Sequence, residues 1–384
     1  MFINVRIKKA QHTISSYHSW RLLTLTLEIY DISYIMATES RQFMTKKSMQ
    51  SSTLDFVITW VDGSDPAWLD EKSHFASGSE ADNRKERYRD WNHLKYWFRG
   101  IEKNAPWVHN IYFVTWGHLP AWLNTAHPKL HIIKHTDFIP PQYLPTYNSH
   151  TIELNLHRIP GLSENFVYFN DDVFLIRPVT PQHFFKSGKP CDMLALQPVV
   201  ANPANPVMSH IFLNNTLVLS KNFNKRENIR HQWRNYFKPG YPPLYFCYNF
   251  LELAFPLFSG FYTVHGASPL CRSTYETLWE KEYSLLDATC LHKFRHADDV
   301  NQYLLREWQK LTGYFTAENV CRSFRYFNAA SDNKKLVSVI KKQKADIICI
   351  NDANTAIDFE RAKTQISTAF SALFPEPSSF EKGQ

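Results

Sequence analysis

Glycine is scarce in this chain, with 11 glycines among 384 residues, against a share of about 7 % in ordinary globular proteins. This scarcity excludes collagen-like and glycine-rich low-complexity structures. A long uninterrupted apolar run is also missing. Glu28 and Asp31 interrupt the apolar stretch around residues 22–27, so it is too short to indicate a signal peptide or a membrane span. We therefore expect a cytoplasmic protein without a membrane span.

Paired cysteines and concentrated charge are missing as well. The six cysteines are widely spaced and form no C-x-x-C pair, so a zinc or dithiol site is disfavoured and reduced thiols are expected. Lys and Arg outnumber Asp and Glu by 43 to 36, giving a net charge of +7 spread over the chain. Without a zinc finger or an RNA-binding signature, this mild excess suits an anionic ligand or an acidic membrane surface better than nucleic acid.

The sequence contains alternating strand and helix patterns from residue 54 onward. Apolar, β-branched runs predict strands over residues 54–61, 110–115, 130–134, 165–169 and 346–350. Helical patterns cover residues 90–103, 273–285, 298–311 and 359–374, and Ser149 can cap another helix. The alternation predicts an α/β fold, Rossmann-like or GT-A-like, with a mostly parallel sheet flanked by helices.

These patterns divide the chain into four parts. Residues 1–52 have no clean period, which predicts a poorly ordered or peripheral extension. Residues 53–184 form the α/β part. Residues 185–260 are rich in Pro, Asn and aromatics with weak periodicity, which predicts an irregular insertion that could carry acceptor specificity. Residues 261–384 form a C-terminal part.

Acidic residues follow two of the predicted strands. Asp62 comes after the first, and Asn170-Asp171-Asp172 directly follows the strand over residues 165–169. Ligands of open α/β sheets bind in the crevice beyond the carboxyl ends of the strands, so both loops are expected to face one site. Adjacent carboxylates can bind a divalent cation or supply a base. Turn or cap formation is the alternative role for each acidic residue.

Two further residues could take part in chemistry. His265 precedes a predicted helix and could move a proton at neutral pH. Arg295 offers a cation for phosphoryl oxygens. Taken alone, a histidine is more often structural and an arginine more often a surface ion-pair partner, so neither residue names a reaction.

Taken together, these motifs resemble the Stealth proteins, a family of sugar-1-phosphate transferases. The block Phe56 to Pro66 is similar to the first region of the family. The second segment, Arg89-Asp90 through Asn170-Asp171-Asp172, the third, His265 to Arg272 with Arg295 and Asp298, and the fourth, Cys349 to Asp352, are similar to the later regions in the same order. Tyr147 and His150 depart from the residues expected beside Asn148 and Ser149, at the end of the site that would receive the acceptor.

The resemblance implies transfer of a hexose-1-phosphate from a UDP-sugar to a hydroxyl of a glycan acceptor, with UMP released. It makes residues 53–184 the nucleotide-sugar-binding part and residues 261–384 the part that completes the catalytic site, whereas residues 185–260, which could be acceptor-binding, match the family only weakly. The implied substrate-binding residues are Asp62, Gly63, Ser64, Asn148 and Asn170, and the implied catalytic residues are Asp171, Asp172, His265 and Arg295.

Within that implied site, Asp171 and Asp172 are plausible Mg²⁺ ligands. Either Asp172 or His265 could be the base. A metal-bound carboxylate is a poorer base, so Mg²⁺ would favour His265. The chain lacks the extra modules of the Golgi member of the family, which favours a bacterial capsule enzyme. We expect it to be free in the cytoplasm, or associated peripherally with the cytoplasmic face of the inner membrane or with the capsule assembly machinery.

Two other functions are compatible with these residues. A metal-dependent glycosyltransferase would attack the anomeric carbon and release UDP. A non-catalytic polysaccharide-binding protein would use the abundant Trp and Tyr faces for sugar rings, and it gives no reason for Asp62, Asp171, His265 and Arg295 to converge.

Overall fold

The strands of the chain follow the predicted alternation. The computed structural model describes residues 53–76, 88–352 and 357–383, so the predicted extension over residues 1–52 lies outside the described residues. The strands are β1 (Leu54–Thr59), β2 (Ile111–Thr115), β3 (Leu130–Lys134), β4 (Asn165–Phe169), β5 (Val173–Leu175), β6 (Phe185–Lys186), β7 (Lys189–Asp192), β8 (Ser268–Cys271), β9 (Thr316–Ala317), β10 (Phe324–Asn328) and β11 (Ile347–Asn351).

The helices surround the sheets formed by these strands. They are α1 (Pro66–Ala76), α2 (Leu94–Asn104), α3 (Ser149–Asn155), α4 (Pro206–Asn222), α5 (Lys225–Tyr236), α6 (Pro243–Leu251), α7 (Arg272–Lys281), α8 (Tyr283–Leu291), α9 (Tyr303–Leu311), α10 (Lys334–Lys341) and α11 (Phe359–Leu373). Within the described ranges, no helix has the length and apolar character that crossing a bilayer requires.

The central sheet has five strands in the order β3-β2-β1-β4-β8. The first four are parallel, and β8 runs antiparallel to β4. Both faces are covered, as in most parallel sheets: Phe56 and Ile58 of β1 enter one core with Phe169, whereas Val57 enters the opposite core with Tyr168. This confirms the predicted α/β class with a mostly parallel sheet.

A second sheet stands directly after the acidic loop. Strand β5 follows Asn170-Asp171-Asp172 and pairs antiparallel with β11, which pairs parallel with β10. The backbone N–H of Ile350 donates to the carbonyl of Asp172 at 2.9 Å. The loop therefore lies between two sheets, and its carboxylates are held against residues from the C-terminal part of the chain.

Several predicted boundaries were wrong. The predicted helix over residues 273–285 is two helices, α7 and α8, because Glu282 leaves helical backbone angles. The helix predicted from residue 298 begins at Tyr303. Residues 185–260 were predicted to be irregular, yet they contain α4, α5 and α6.

The helices of residues 185–260 were missed for a physical reason. The high proline content of residues 185–260 favoured irregular structure, but Pro206 and Pro243 are each the first residue of a helix, where a missing N–H breaks no hydrogen bond. Apolar residues also point to solvent on α6, which hides the period that a core-facing helix would show. The stretches on either side of these helices do have little regular structure.

Residues 53–384 belong to one compact unit. The core on the Val57 face draws on residues from the α/β part, from the segment over residues 185–260 and from the C-terminal part. The functional division at residues 184 and 260 stays a prediction.

Candidate active site

An acidic cleft lies at the carboxyl ends of the central strands. Its walls are formed by aromatic, charged and apolar side chains: Trp60, Arg89, Asp90, Trp91, His93, Leu94, Asp171, Asp172, Phe174 and Ile350. Burial, with help from the Asp62 carboxylate, raises the pKa of Asp90. Asp90 therefore lies within electrostatic range of both predicted acidic loops. The sequence motifs assigned no role to this residue.

Asp171 has an unusual acidity in this cleft. Desolvation by the surrounding protein is the main cause that raises the pKa of the Asp171 carboxyl to about 7, and the negative charges of Asp172 and Asp90 add to it. The Asp171 side chain is exposed to solvent, which weakens the repulsion between these carboxylates. Carboxylates crowded in this way are stabilised by any cation that enters between them.

Asp172 joins the acidic loop to two residues from distant parts of the chain. Its Oδ2 lies 3.3 Å from Nε2 of His265 and accepts from the Cys349 thiol at 3.3 Å. Its Oδ1 is buried and has no hydrogen-bond partner in the described part of the chain. A buried carboxylate oxygen without a partner is costly, and here it is aimed beside the other cleft carboxylates.

His265 is held from both sides of its ring. Nδ1 contacts the Tyr303 hydroxyl, and Nε2 faces Asp172. Burial works against the protonated form, but the charge of Asp172 and its hydrogen bond outweigh burial, so the pKa of His265 is raised. A proton accepted by this imidazole is therefore stabilised at the site.

Arg295 reaches the start of helix α3. Its Nη2 and Nε donate to Oγ of Ser149 at 2.7 and 3.2 Å. Its charge lowers the pKa values of both Asp171 and His265, so the guanidinium lies within electrostatic range of both groups. Among the described residues it forms no ion pair at salt-bridge distance, so most of its donors are available to a ligand.

A buried carboxylate that the sequence did not identify organises this edge of the site. Asp299 is fully buried and accepts from Asn148 Nδ2 at 2.9 Å and from the backbone N–H of His296 at 3.0 Å. His150 and His292 contact it through Nδ1 at 3.0 and 2.7 Å. We call these five residues the Asp299 cluster; it fixes the loop that carries Arg295 against the helix start that carries Ser149.

The residues that depart from the resemblance have packing roles here. His150 is buried on Asp299. Tyr147 stacks on Phe294, with ring centroids 5.4 Å apart, and meets Trp68 edge-on. Asp298, which belongs to the resemblance, is 82 % exposed in its side chain. The neighbouring Asp299, and not Asp298, makes the contacts at this edge of the site. In the sequence, the adjacent pair of aspartates was the only sign of it.

The predicted nucleotide-binding loop is shaped by its own contacts. Oδ1 of Asp62 accepts from the N–H and the Oγ of Ser64 at 2.9 and 2.6 Å. A Cβ added at Gly63 would lie 1.8 Å from the carbonyl oxygen of Tyr88, so only glycine fits. The carbonyl of Asn170, which is half-buried, accepts from the N–H of Val173 and closes the turn that presents Asp171.

Arg89 ties the second and fourth segments of the resemblance together. Its Nε and Nη2 both donate to the Asp352 carboxylate at 2.8 Å, and Trp91 Nε1 donates to the same group at 3.1 Å. Paired guanidinium donors on one carboxylate fix geometry as well as charge. This contact anchors the wall of the cleft that carries Asp90.

Two groups of side chains could hold a metal. Asp172, His265 and Cys349 offer ligand atoms within 4.8 Å of one another. Burial and the Asp172 carboxylate raise the pKa of Cys349, so its sulfur remains a thiol that donates to Asp172 and is a poor ligand. The second group, Asp90, Asp171 and Asp172, lines the cleft with carboxylate oxygens, the ligands that Mg²⁺ prefers, although among the described residues these three do not form a close ligand cluster as the first group does. The crowding at Asp171 and the unpartnered Oδ1 of Asp172 fit such an ion.

Known protein families match the part of the chain that carries these loops. Residues 53–80 match the model for conserved region 1 of the Stealth proteins, and residues 87–192 match conserved region 2. A crystal structure of the galactosyltransferase LgtC in complex with donor and acceptor sugar analogues aligns with 82 % of this chain and 95 % of its own, at 10 % identity and a TM-score of 0.33.

Curated relatives match over nearly their whole length. The capsular polysaccharide phosphotransferase WcwK of Streptococcus pneumoniae is 39 % identical over 86 % of this chain and 99 % of its own. The receptor polysaccharide phosphotransferase WefC of Streptococcus gordonii is 37 % identical over 85 % and 98 %. The exopolysaccharide phosphotransferase cps2G of Lactiplantibacillus plantarum is 36 % identical over 86 % and 96 %. The chain therefore belongs to the Stealth family and is a transferase related to the bacterial polysaccharide phosphotransferases.

Proposed function

We propose that this enzyme moves a hexose-1-phosphate from a UDP-sugar to a hydroxyl of a capsular or extracellular polysaccharide. The acceptor oxygen attacks the phosphorus that carries the sugar. The bond from that phosphorus to the bridging oxygen breaks, UMP leaves, and the proton of the hydroxyl passes to a base. The product is a phosphodiester.

The observation that carries this proposal is the position of Arg295 within electrostatic range of Asp171 and His265, without an ion-pair partner among the described residues. Phosphoryl transfer needs charge neutralisation on the phosphoryl oxygens and an aligned nucleophile. The planar guanidinium of Arg295 can contact two phosphoryl oxygens at once. In this proposal the Asp62, Gly63 and Ser64 loop contacts the nucleotide sugar, and Asn148 and Asn170 hold the loops that border it.

His265 is the base in this proposal. A proton that it takes from the acceptor hydroxyl is stabilised by Asp172, whose Oδ2 lies 3.3 Å from Nε2. The Tyr303 hydroxyl contacts Nδ1 and fixes the plane of the ring. Asp172 is less suited to be the base because it is also a proposed metal ligand.

Asp171 and Asp172, with Asp90 beside them, would hold Mg²⁺. When bound, the ion would neutralise charge on the diphosphate of the donor. The protein residues that orient the donor and accept the proton are those named above.

We further propose that the enzyme works in the cytoplasm, peripherally at the inner membrane, on a UDP-sugar donor and a glycan acceptor. Cys191, Cys290 and Cys349 are buried thiols, as expected in a reducing compartment.

The test is product analysis with the purified enzyme, a panel of UDP-hexoses and fragments of capsular polysaccharide. We expect UMP and a glycan whose mass rises by one hexose phosphate, with a phosphodiester signal in the ³¹P spectrum. UDP together with a phosphate-free glycoside would instead identify a glycosyltransferase. Binding of glycan with no released nucleotide would identify a polysaccharide-binding protein.

A further inference from the structure

An apolar surface without a described covering lies on the segment that follows helix α5. Seven large apolar side chains are between 41 % and 65 % exposed there. We call them the apolar ridge: Leu244, Phe246, Phe250, Leu251, Leu253, Phe255 and Leu257. Contiguous exposure of this kind is rare on soluble monomers and marks an interaction site.

The ridge is rigidly built. Lys225 Nζ, which is buried, donates to Oε2 of Glu252 at 2.6 Å and to the carbonyls of Glu252 and Leu257 at 2.7 and 2.8 Å. Ser259 donates from its hydroxyl to the other oxygen of Glu252. A buried ion pair with every Lys225 donor used therefore holds the loop whose Leu253, Phe255 and Leu257 side chains face solvent.

Helix α6 is fixed in the same way. Asn249 is its buried residue, and its side chain accepts from the N–H of Leu196 at 2.7 Å and donates to the carbonyls of Leu194 and Tyr236 at 3.1 and 2.6 Å. With Asn249 anchored inward, Phe246 and Phe250 remain outside. The hydrogen bonds beneath the ridge therefore hold its apolar side chains in exposed positions.

Basic side chains accompany the ridge. Helix α5 begins at Lys225, which holds Glu252 and Leu257, and just past its end the ring of Phe237 meets that of Phe246 at 5.4 Å. The helix therefore runs beside the ridge. Three of its arginines, Arg226, Arg230 and Arg234, are exposed. No ion pair at salt-bridge distance involves them among the described residues.

The net charge near the ridge is positive: Lys221, Lys225 and Lys238 are paired with carboxylates, but the three arginines of α5 outnumber its one exposed carboxylate, Glu227. Arg226 and Leu257 line the same open cleft at one end of the ridge. Across residues 221–260 there are six Lys and Arg residues, and the acidic residues are Glu227 and Glu252, of which Glu252 is neutralised by Lys225. Trp233, 55 % exposed next to Arg234, is a residue type that favours the boundary between lipid and water.

We propose that the apolar ridge and the arginines of α5 dock the enzyme on a membrane surface rich in anionic lipid. The apolar side chains enter the boundary between headgroups and acyl chains, and the unpaired guanidinium groups contact lipid phosphates. The net positive charge beside the ridge favours this occupant over a second copy of the chain, which would bring the same net charge against itself.

The docking segment is connected to the active site. Helix α4 precedes α5, and the ring of Phe212 in α4 stacks on Tyr303, the partner of His265, with centroids 5.9 Å apart. Docking would place this side of the cleft near an acceptor held at the bilayer. Docking deepens the proposed location at the inner membrane, and this consequence for the acceptor rests on the proposed function; vesicle binding is measured without the proposed reaction.

The test is co-sedimentation of the full chain with vesicles. One set contains equal parts of phosphatidylcholine and phosphatidylglycerol, and the other contains phosphatidylcholine alone. We expect binding to the anionic vesicles that weakens with salt and much weaker binding to the neutral ones. The double variant Phe255→Ser with Leu257→Ser should lose at least about tenfold in affinity. Arg226→Gln with Arg230→Gln should lose about fivefold for each arginine.

The matched control is Leu291→Ser, which removes an equally exposed leucine outside the ridge and should sediment like the wild type. UMP release with a soluble acceptor is measured in parallel without vesicles; it should be unchanged in the ridge variants, which separates failure of docking from failure of the proposed reaction. Absence of wild-type binding to anionic vesicles, or equal binding of the Phe255 and Leu257 double variant, would overturn the proposal. So would ridge variants that change only the oligomeric state in light scattering, because they would identify a second copy as the occupant.

Discussion

Nε2 of His265 lies 3.3 Å from Oδ2 of Asp172, and the same carboxylate oxygen accepts the thiol of Cys349 at 3.3 Å. Three segments of the chain thus meet at one oxygen atom: the loop after β4, the segment before β8 and strand β11. The arrangement raises the proton affinity of the imidazole without sealing it, because His265 keeps 30 % of its side-chain surface exposed. It gives the proposed base both a stabilising partner and access to an acceptor hydroxyl.

His265→Gln should lower turnover by about 10²-fold or more, because it removes the group proposed to take the proton. Folding should be retained, since the side chain is part-exposed and glutamine keeps some hydrogen bonding. Steady-state kinetics with a saturating UDP-sugar, together with a melting curve, measures both effects. His210→Gln, an exposed histidine on α4, is the matched control and should behave like the wild type. Normal turnover in His265→Gln would show that this histidine is structural and is not the base.

The strands that position the site could be predicted from sequence because their signal is local. Phe56, Val57 and Ile58 are buried on both faces of the sheet, and a continuous apolar run ending in Asp62-Gly63 is typical of a strand covered on both sides and followed by a turn. The carboxyl-end rule for parallel sheets then placed Asp62 and Asp171 at one edge. The structure shows a cleft at that edge lined by Asp90 and Asp171, and the Asp62 carboxylate acts electrostatically on Asp90.

The remaining site residues could not be located in this way, because their positions depend on which distant strands and helices pack together. Cys349 reaches Asp172 only because β11 pairs antiparallel with β5, and nothing local in residues 347–351 indicates that partner. Asp299 looks like its neighbour Asp298 in sequence, yet one is buried among histidines and the other faces solvent. Which of the two aspartates is buried depends on the neighbouring elements that pack against them, and the local sequence does not show this.

Asp171→Asn should weaken Mg²⁺ binding by about tenfold or more, because it removes a charged oxygen ligand from the set of Asp90, Asp171 and Asp172. For the wild type we expect Mg²⁺ to raise the melting temperature, as any ligand of the folded state does, and chelation to abolish turnover. The Mg²⁺ concentration at half-maximal thermal shift is the measurement, and it does not depend on catalysis.

Asp332→Asn is the matched control for this experiment, because Asp332 is an exposed carboxylate paired with Lys334 away from the cleft. It should leave the thermal response to Mg²⁺ intact. If the wild type shows no thermal shift with Mg²⁺, or if Asp171→Asn responds like the wild type, the oxygen ligand set is not a magnesium site.

Arg295→Lys should keep the fold but lower turnover by about 10²-fold, since an ammonium supplies a point charge without the planar pair of donors that can contact two phosphoryl oxygens. Arg177→Lys provides the comparison, because Arg177 is a half-exposed arginine near Asp346 and such pairs contribute only about 0–1 kcal/mol to stability. Kinetics of both variants with the same donor and acceptor decide the matter. Equal turnover in the two would contradict a phosphoryl contact by Arg295.

The Asp299 cluster predicts how stability depends on pH. Hydrogen bonds from His150 and His292 overcome burial and hold the pKa of Asp299 well below its usual range, while the bond to Asp299 raises the pKa of His292. The lowered pKa of Asp299 contributes stability above the unfolded value of about 3.9, and this contribution is lost as the pH falls through the folded value. The raised pKa of His292 contributes stability fully below about 6.5, and this is lost as the pH rises through its folded value.

The two contributions overlap between about pH 4 and pH 6.5, so the cluster should stabilise the fold most in that window. Asp299→Asn should lower the free energy of unfolding there by about 3 kcal/mol, because it removes a buried charge from several donors. Above pH 7 the difference from the wild type should shrink as His292, which is 33 % exposed, loses its proton. Urea denaturation of both proteins from pH 4 to pH 8.5 measures this difference. A constant difference across that range would show that the Asp299 and His292 contact does not carry charge.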